Sequence, residues 1–314
     1  MDEFALIRRY FQQAFDRSLD VTGGADDCAT LILPPDKVQH LSIDTMVENV
    51  HFYADMPSRD IGHRALATAL SDLAAMGAKP WWCSLALTLP SFDEAWLAGF
   101  SEGFANLAKQ HNVQLIGGDT TKGPLTISVQ VAGLSSSDAY LTRRGAKVGD
   151  FVCVTGSLGD AAGGLKQWYD AEPNSYLRQR YAAPTPRCDF AAALAPLATA
   201  GIDISDGLLA DLGHIAKGSN CAIEIDAEQL PISPALAQNF DAATASRYAL
   251  SGGDDYELCF SISPSTLASV KALASSFDLA VSVIGQVKQG EGVTVVRSGQ
   301  SVAIEQSGYN HFQT

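Results

Sequence analysis

The sequence predicts two domains in which β-strands and α-helices alternate. Three observations lead there. The chain has 314 residues, 46% of them hydrophobic, enough to bury two separate cores. Short apolar runs of strand length alternate with longer segments whose apolar residues recur at helical spacing. Midway, Arg143–Asp150 (RRGAKVGD) is a polar, glycine-containing connection between β-like segments, which sets the boundary and gives domains 1–145 and 146–314.

Composition narrows the function. Acids outnumber bases 35 to 21, a formal charge of −14, which argues against nucleic acid or an anionic membrane as partner. No run reaches the roughly 18 apolar residues of a membrane span. The six cysteines lie far apart without C-x-x-C spacing and read as reduced thiols of a cytoplasmic protein. The N-terminus starts acidic, so it is no signal peptide.

In chain order, Phe4, Ile7, Phe11 and Phe15 share one side of an opening helix. Gly23-Gly24-Ala25-Asp26-Asp27 then breaks the chain before a β-like run, Cys28–Leu33, closed by Pro34-Pro35. Two like charges at 4 Å cost on the order of 4 kcal/mol at an effective dielectric near 20. Asp26 and Asp27 therefore need a cation or open water. In the strand His40–Val47, Ser42 and Asp44 share a face. His51, between Val50 and Phe52, is either a structural histidine or a ligand.

Asp60–Met76 is the clearest helix, with Asp60 as N-cap, Gly77 as stop and an apolar stripe through Ile61, Ala65, Ala69, Leu73 and Met76. Asp72 falls on or beside that stripe, and Thr68, Ala69, Ala75 and Met76 offer no basic partner. It calls for a metal or a distant partner. Strand Trp82–Leu89 and helix Asp93–Gln110 lead to Leu115–Gly123, LIGGDTTKG. Here a strand end is expected to turn at Gly117-Gly118 or to approach something closely there, presenting Asp119, Thr120 and Thr121 as hard oxygen donors. The alternative is an Asp119 that caps its own turn. Strand Leu125–Leu134 closes the first half.

The second half opens FVCVTGSLGDAAGGL, a strand, a glycine-rich turn and a helix. Its spacing matches neither nucleotide fingerprint, and close strand-to-helix packing accounts for the glycines. In the motif Ile202–Gly207 of GIDISDGLLADL, Asp203 and Ser205 alternate with Ile202 and Ile204 on a strand, and Asp206-Gly207 opens the helix Leu208–Lys217. Ser251–Glu257 is another Gly-Gly-Asp turn before a strand, Leu258–Ser263, and SGYNHF carries Tyr309 near the end.

Together Asp27, Asp44, Asp72, Asp119, Asp203 and Asp206, with Ser42 and Ser205, supply oxygens without thiolates or paired imidazoles. Such a set suits magnesium, which takes carboxylates, waters and substrate phosphates. Several Mg2+ ions carrying a nucleotide triphosphate are the inferred ligand. There is no Walker A lysine and no protein-kinase HRD or DFG set.

These residues carry a resemblance. GADDCA, the Ser42–Asp44 strand with His51-Phe52, LSDLAAMGA, LIGGDTTKGPL, LTRRGAKVGD, IDISDGL, LSGGDDYELCF and the terminal SGY stand in the order found in bacterial thiamine-monophosphate kinases. The chain resembles that family over essentially its full length, within the superfamily of aminoimidazole ribonucleotide synthetase and selenophosphate synthetase. The resemblance implies an N-terminal α/β domain forming a dimer-spanning β-barrel, a C-terminal α+β domain, and an ATP cleft between them. It implies metal binding at Asp27, Ser42, Asp44, Asp72, Asp119, Asp203 and Asp206, and ATP binding at Gly118, Asp119, Arg143 and Ser205. His51, Asp254 and Tyr309 are implied for thiamine monophosphate. Two positions depart from the family: Ile43 replaces a hydroxyl residue, and Asp254 replaces a glutamate.

The implied reaction transfers the γ-phosphoryl group of ATP to thiamine monophosphate in a cytoplasmic homodimer, with catalysis resting on Asp27, Asp44, Asp72 and Asp119 through metal, and on Arg143. Two alternatives stay open: another ATP-dependent synthetase of the superfamily, or a non-catalytic nucleotide- or divalent-ion-binding protein.

Overall fold

The computed structural model describes residues 10–11, 21–22, 28–302 and 308. The chain forms two compact units, Met1–Leu73 with Ala78–Asp138, and Ala74–Gly77 with Ala139–Thr314. The opening helix expected through Phe4, Ile7 and Phe15 lies outside the described residues; Tyr10 and Phe11 are buried, and Phe11 meets Phe100 edge-on with ring centroids 6.5 Å apart.

In the first unit, β1 (Val21–Thr22) pairs antiparallel with β2 (Thr30–Leu31). The run expected over Cys28–Leu33 is thus a two-residue strand, cut short by Pro34-Pro35. Strands β3 (Lys37–Val47), β4 (Lys79–Leu89), β5 (Gln114–Lys122) and β6 (Thr126–Ser136) form an open sheet in the order β3-β6-β4-β5. β6 runs antiparallel to both β3 and β4. β4 and β5 are parallel, and the helix between them makes the crossover that parallel pairing requires.

The helices α1 (Ser58–Ala75) and α2 (Glu94–Gln110) touch backbone to backbone. A Cβ at Gly62 would sit 2.0 Å from the Phe100 carbonyl oxygen, and one at Gly103 would sit 1.9 Å from that of Arg59. Asp93 caps α2 by accepting the Trp96 N–H at 3.0 Å. Leu66, Leu70, Leu73, Leu97, Phe100 and Phe104 are fully buried.

LIGGDTTKG does not turn. Its Gly117 through Thr121 lie inside β5, whose ladder with β4 runs on to Leu89 opposite Lys122. A Cβ at Gly118 would lie 2.0 Å from the Leu85 carbonyl oxygen, so glycine is required here for strand-to-strand approach.

The second unit is built on seven strands: β7 (Phe151–Thr155), β8 (Ala200–Asp203), β9 (Ala222–Asp226), β10 (Leu258–Ile262), β11 (Val281–Lys288), β12 (Gly292–Arg297) and β13 (Gln300–Val302). Their order is β13-β12-β9-β11-β7-β10-β8, and only β12 with β9 is parallel. Helices α3 (Asp160–Lys166), α4 (Ser175–Ala182), α5 (Cys188–Leu194), α6 (Leu208–Ser219), α7 (Pro234–Asn239), α8 (Ala242–Ser251) and α9 (Leu267–Ser276) complete it. Ile202, Ile204, Leu208, Leu212, Ile215, Ile223 and Ile225 lie in its core.

Gly164 serves helix-to-helix rather than strand-to-helix packing, since a Cβ there would lie 2.0 Å from the Leu177 carbonyl oxygen of α4, whereas a Cβ at Gly156 would lie 2.3 Å from a Glu257 carboxylate oxygen. The connection Arg143–Asp150 is anchored within this unit, because the Gly145 and Ala146 N–H groups donate to Ser219 Oγ at 3.1 and 3.2 Å. All six cysteines are free, and all but Cys28 are buried. Among the described residues, no helix is long and apolar enough to cross a membrane.

Candidate active site

In the first unit the site begins with an inverted strand. Leu41 and Ile43 of β3 face outward, 58% and 64% exposed, while Ser42 and Asp44 occupy the opposite face. Thr68 and Asp72, one turn apart on α1, meet that face. Ser42 Oγ donates to Asp72 Oδ2. Burial, and then the charge of Asp72, push the Asp44 carboxyl up to about 6, while a bond from the Thr68 hydroxyl opposes them.

His51 follows β3 in a turn, where the Val47 N–H donates to its Nδ1 at 3.0 Å and leaves Nε2 as the protonated nitrogen. Gly118 and Asp119 are exposed on β5, opposite Leu85 and Ala86. Asp27 lies outside the described residues. The first unit therefore brings Ser42, Asp44 and Asp72 together. No three His, Cys, Asp or Glu side chains among the described residues gather closely enough to hold a metal ion.

In the second unit Asp203 ends β8, 4% exposed. The strand expected to carry both Asp203 and Ser205 stops at Asp203, and Asp206-Gly207 opens α6 as expected, with Gly207 at φ 121°. Pairing to the neighbouring segment nevertheless continues. Ile204 donates its N–H to the Glu257 carbonyl and accepts from the Tyr256 N–H, both at 2.8 Å; Ser205 O accepts from the Asp254 N–H at 2.9 Å.

Asp211 is a residue that sequence reasoning missed. Its Oδ2 accepts three consecutive N–H groups, from Ser205 at 3.1 Å, Asp206 at 3.2 Å and Gly207 at 3.1 Å. Burial, and then the charge of Asp206, push this carboxyl up to about 7 against those bonds. The available signal was an acid in the first helical turn after Asp206-Gly207.

Asp254 and Tyr256 adopt left-handed backbones, φ 69° and 49°, and the Tyr256 hydroxyl donates to Asp254 Oδ1 at 3.1 Å. Gly308 abuts the turn: a Cβ there would lie 2.8 Å from Asp206 O and 2.6 Å from the Ala210 Cβ. Tyr309, next in sequence, lies outside the described residues. Arg143 is exposed, with its carbonyl accepting from Ser219 Oγ at 3.2 Å.

A buried ionic network anchors the Asp254 segment. Asp255 accepts the Gly159 and Ala161 N–H groups at 2.6 and 3.2 Å. Glu257, 1% exposed, accepts from Arg187 at 2.7 and 2.6 Å, Arg180 at 2.9 Å and Thr155 Oγ1 at 2.6 Å. Burial alone would raise the Glu257 carboxyl, but the two guanidiniums and the hydroxyl hold it below its usual value. Arg180 and Arg187 gave no local sequence signal, since their partner lies more than 60 positions away.

The family model described as AIR synthase related protein, N-terminal domain, matches residues 25–135, and its C-terminal counterpart matches residues 147–298. A thiamine-monophosphate kinase of Escherichia coli (strain K12) is 44% identical over 320 residues, covering 99% of this chain and 98% of the relative. The crystal structure of a thiamine-monophosphate kinase from Stenotrophomonas maltophilia K279a superposes with a TM-score of 0.89 at 43% identity, covering 96% of this chain and 98% of that one. A structure of AaThiL complexed with AMPPCP and TMP superposes at 0.79 with 33% identity, covering 90% of this chain and 89% of that one. The chain belongs to the thiamine-monophosphate kinase family.

Proposed function

We infer that the chain is a thiamine-phosphate kinase, transferring the γ-phosphoryl group of ATP to thiamine monophosphate and yielding thiamine diphosphate and ADP. One observation carries the reading: kinases of this name match the chain end to end, at 44% identity over 99% of its length. The related structure holding AMPPCP and TMP supports ATP as the co-substrate.

The residues present fit a hard divalent cation, which we propose to be magnesium. Asp44 and Asp72 repel each other across a shared face with a hydroxyl at hand, a donor set of oxygen alone. We propose Asp27, Ser42, Asp44, Asp72, Asp119, Asp203 and Asp206 as the holders of several such ions. When bound, such ions neutralise phosphate charge and align the two reacting groups.

Gly118, Asp119, Arg143 and Ser205 are proposed to hold the nucleotide. His51, Asp254 and Tyr309 are proposed to hold thiamine monophosphate, with His51 Nε2–H as a phosphate donor. The acceptor phosphate is largely ionised at neutral pH, its second pKa being about 6, so no general base is needed. The residues' work is then alignment for in-line transfer. Asp254, one methylene shorter than the family's glutamate, is steered by the Tyr256 hydroxyl.

The outward Leu41 and Ile43 support a homodimer in which the open four-stranded sheet contributes to a barrel with a second copy. We further propose residues 1–145 as the metal-binding and dimerisation domain, 146–314 as its complement, and a cytoplasmic location. The deciding assay measures ADP release and thiamine diphosphate formation with and without thiamine monophosphate. ADP release that ignores thiamine monophosphate would point to another acceptor; nucleotide binding without ADP release would point to a binding protein.

A further inference from the structure

We propose that Asp211 is a positioning residue that sets the Ser205–Gly207 turn for both substrates at once. The proposal rests on the functional reading above, in which Ser205 and Asp206 serve ATP and its metal, and Asp254 and Tyr309 serve thiamine monophosphate. Asp211 is 3% exposed and works from beneath the turn, where one carboxylate oxygen takes the N–H groups of Ser205, Asp206 and Gly207. Three consecutive donors converging on one acceptor fix the direction of all three peptide planes.

The same turn is a seat for the other substrate's groups. Ser205 O holds the Asp254 N–H at 2.9 Å, and a Cβ at Gly253 would fall 2.5 Å from that same oxygen. Gly308, immediately before Tyr309, leaves only enough room for a hydrogen against Asp206 O and the Ala210 Cβ. A shift of the turn therefore moves Ser205 and Asp206 together with Asp254 and Gly308. Nucleotide and thiamine contacts should weaken in step when Asp211 is lost, whereas a merely structural acid would alter stability alone.

The experiment compares the full chain with Asp211→Ala and Asp211→Asn. Calorimetry follows binding of AMPPCP as Mg2+ is added, steady-state kinetics give kcat and the KM for thiamine monophosphate, and hydrogen exchange reports on the amides of 205–207. Since displacement of about 1 Å can cost on the order of 100-fold, Asp211→Ala should weaken AMPPCP binding and raise the KM at least ~10-fold each. Amides 205–207 should exchange faster as well. Asp211→Asn, which keeps an acceptor oxygen, should stay within about 3-fold on both measures, less than the tenfold that 1.4 kcal/mol represents.

Folded Asp211→Ala with unchanged binding and KM overturns the proposal, and so does Asp211→Asn as impaired as Asp211→Ala. If Asp211→Ala does not fold, Asp211→Glu, which displaces the acceptor by one methylene, carries the test with the same expected and overturning results. A wild-type chain that binds AMPPCP but forms no thiamine diphosphate sinks the kinase reading, and the binding and exchange measurements then judge Asp211 alone.

Discussion

Asp44 and Asp72 place two repelling acids on one partly buried face, and the cost of that arrangement is measurable without any substrate. The folded Asp44 carboxyl titrates near 6 against an ordinary value of 3.8, so between those values the folded chain holds a proton that the unfolded chain has released. Stability from this group is present below about pH 4 and is lost as pH rises to about 6. At 1.36 kcal/mol per unit the loss is on the order of 3 kcal/mol. Denaturant unfolding in a chelator should show wild type falling over this range relative to Asp44→Asn. Parallel curves would mean that Asp44 is not desolvated against Asp72. With substrates present, Asp72→Asn should lower turnover by about 100-fold or more while remaining folded. Tyr256→Phe removes one hydrogen bond to the Asp254 carboxylate and should raise the KM for thiamine monophosphate a few-fold, by about the 1 kcal/mol of that bond, with little change in kcat. Asp72 was legible in sequence because helical spacing set an acid against an apolar stripe. Asp211 was not, because its partners are backbone N–H groups of a turn whose shape no side chain announces.

Among the elements, β5 separates local signals from long-range ones. Gly-Gly-Asp is a turn signal, yet the parallel ladder with β4 holds the backbone extended, and that pairing crosses a whole helix in sequence. Most strands and both described helices of the first unit were readable from periodicity. Gly118 could be recognised as a place of close approach but not what approached, the Leu85 carbonyl of β4. Gly118→Ala should lower stability by about 1–3 kcal/mol through overpacking, seen as a lower unfolding midpoint even without nucleotide. An unchanged midpoint would show that β4 and β5 can separate freely. The Glu257 network makes a stronger claim: Glu257→Gln leaves Arg180 and Arg187 facing a neutral amide in a buried site and should cost on the order of 3–5 kcal/mol.

For the whole molecule, length and the polar stretch near residue 143 announced two units, although Arg143–Asp150 is stitched to α6 rather than hanging as a linker. A homodimer was expected from the family resemblance alone, since alternation along β3 does not say whether the face of Leu41 and Ile43 is outward or buried. Ile43→Lys should convert the proposed homodimer to monomer in sedimentation; a wild type already monomeric at micromolar concentration would remove the barrel proposal. The two sheets also differ in when they can exist during synthesis. The first is complete once β6, ending at Ser136, has left the ribosome. In the second, β7 must wait for β10, with Phe151 paired to Ile262, and Glu257 arrives long after the two arginines it pairs with. A nascent chain stalled between these points carries a finished first unit and a row of unpaired strands. Slow translation through that interval therefore exposes the protein to misassembly, and chaperone dependence should track the second half of the message.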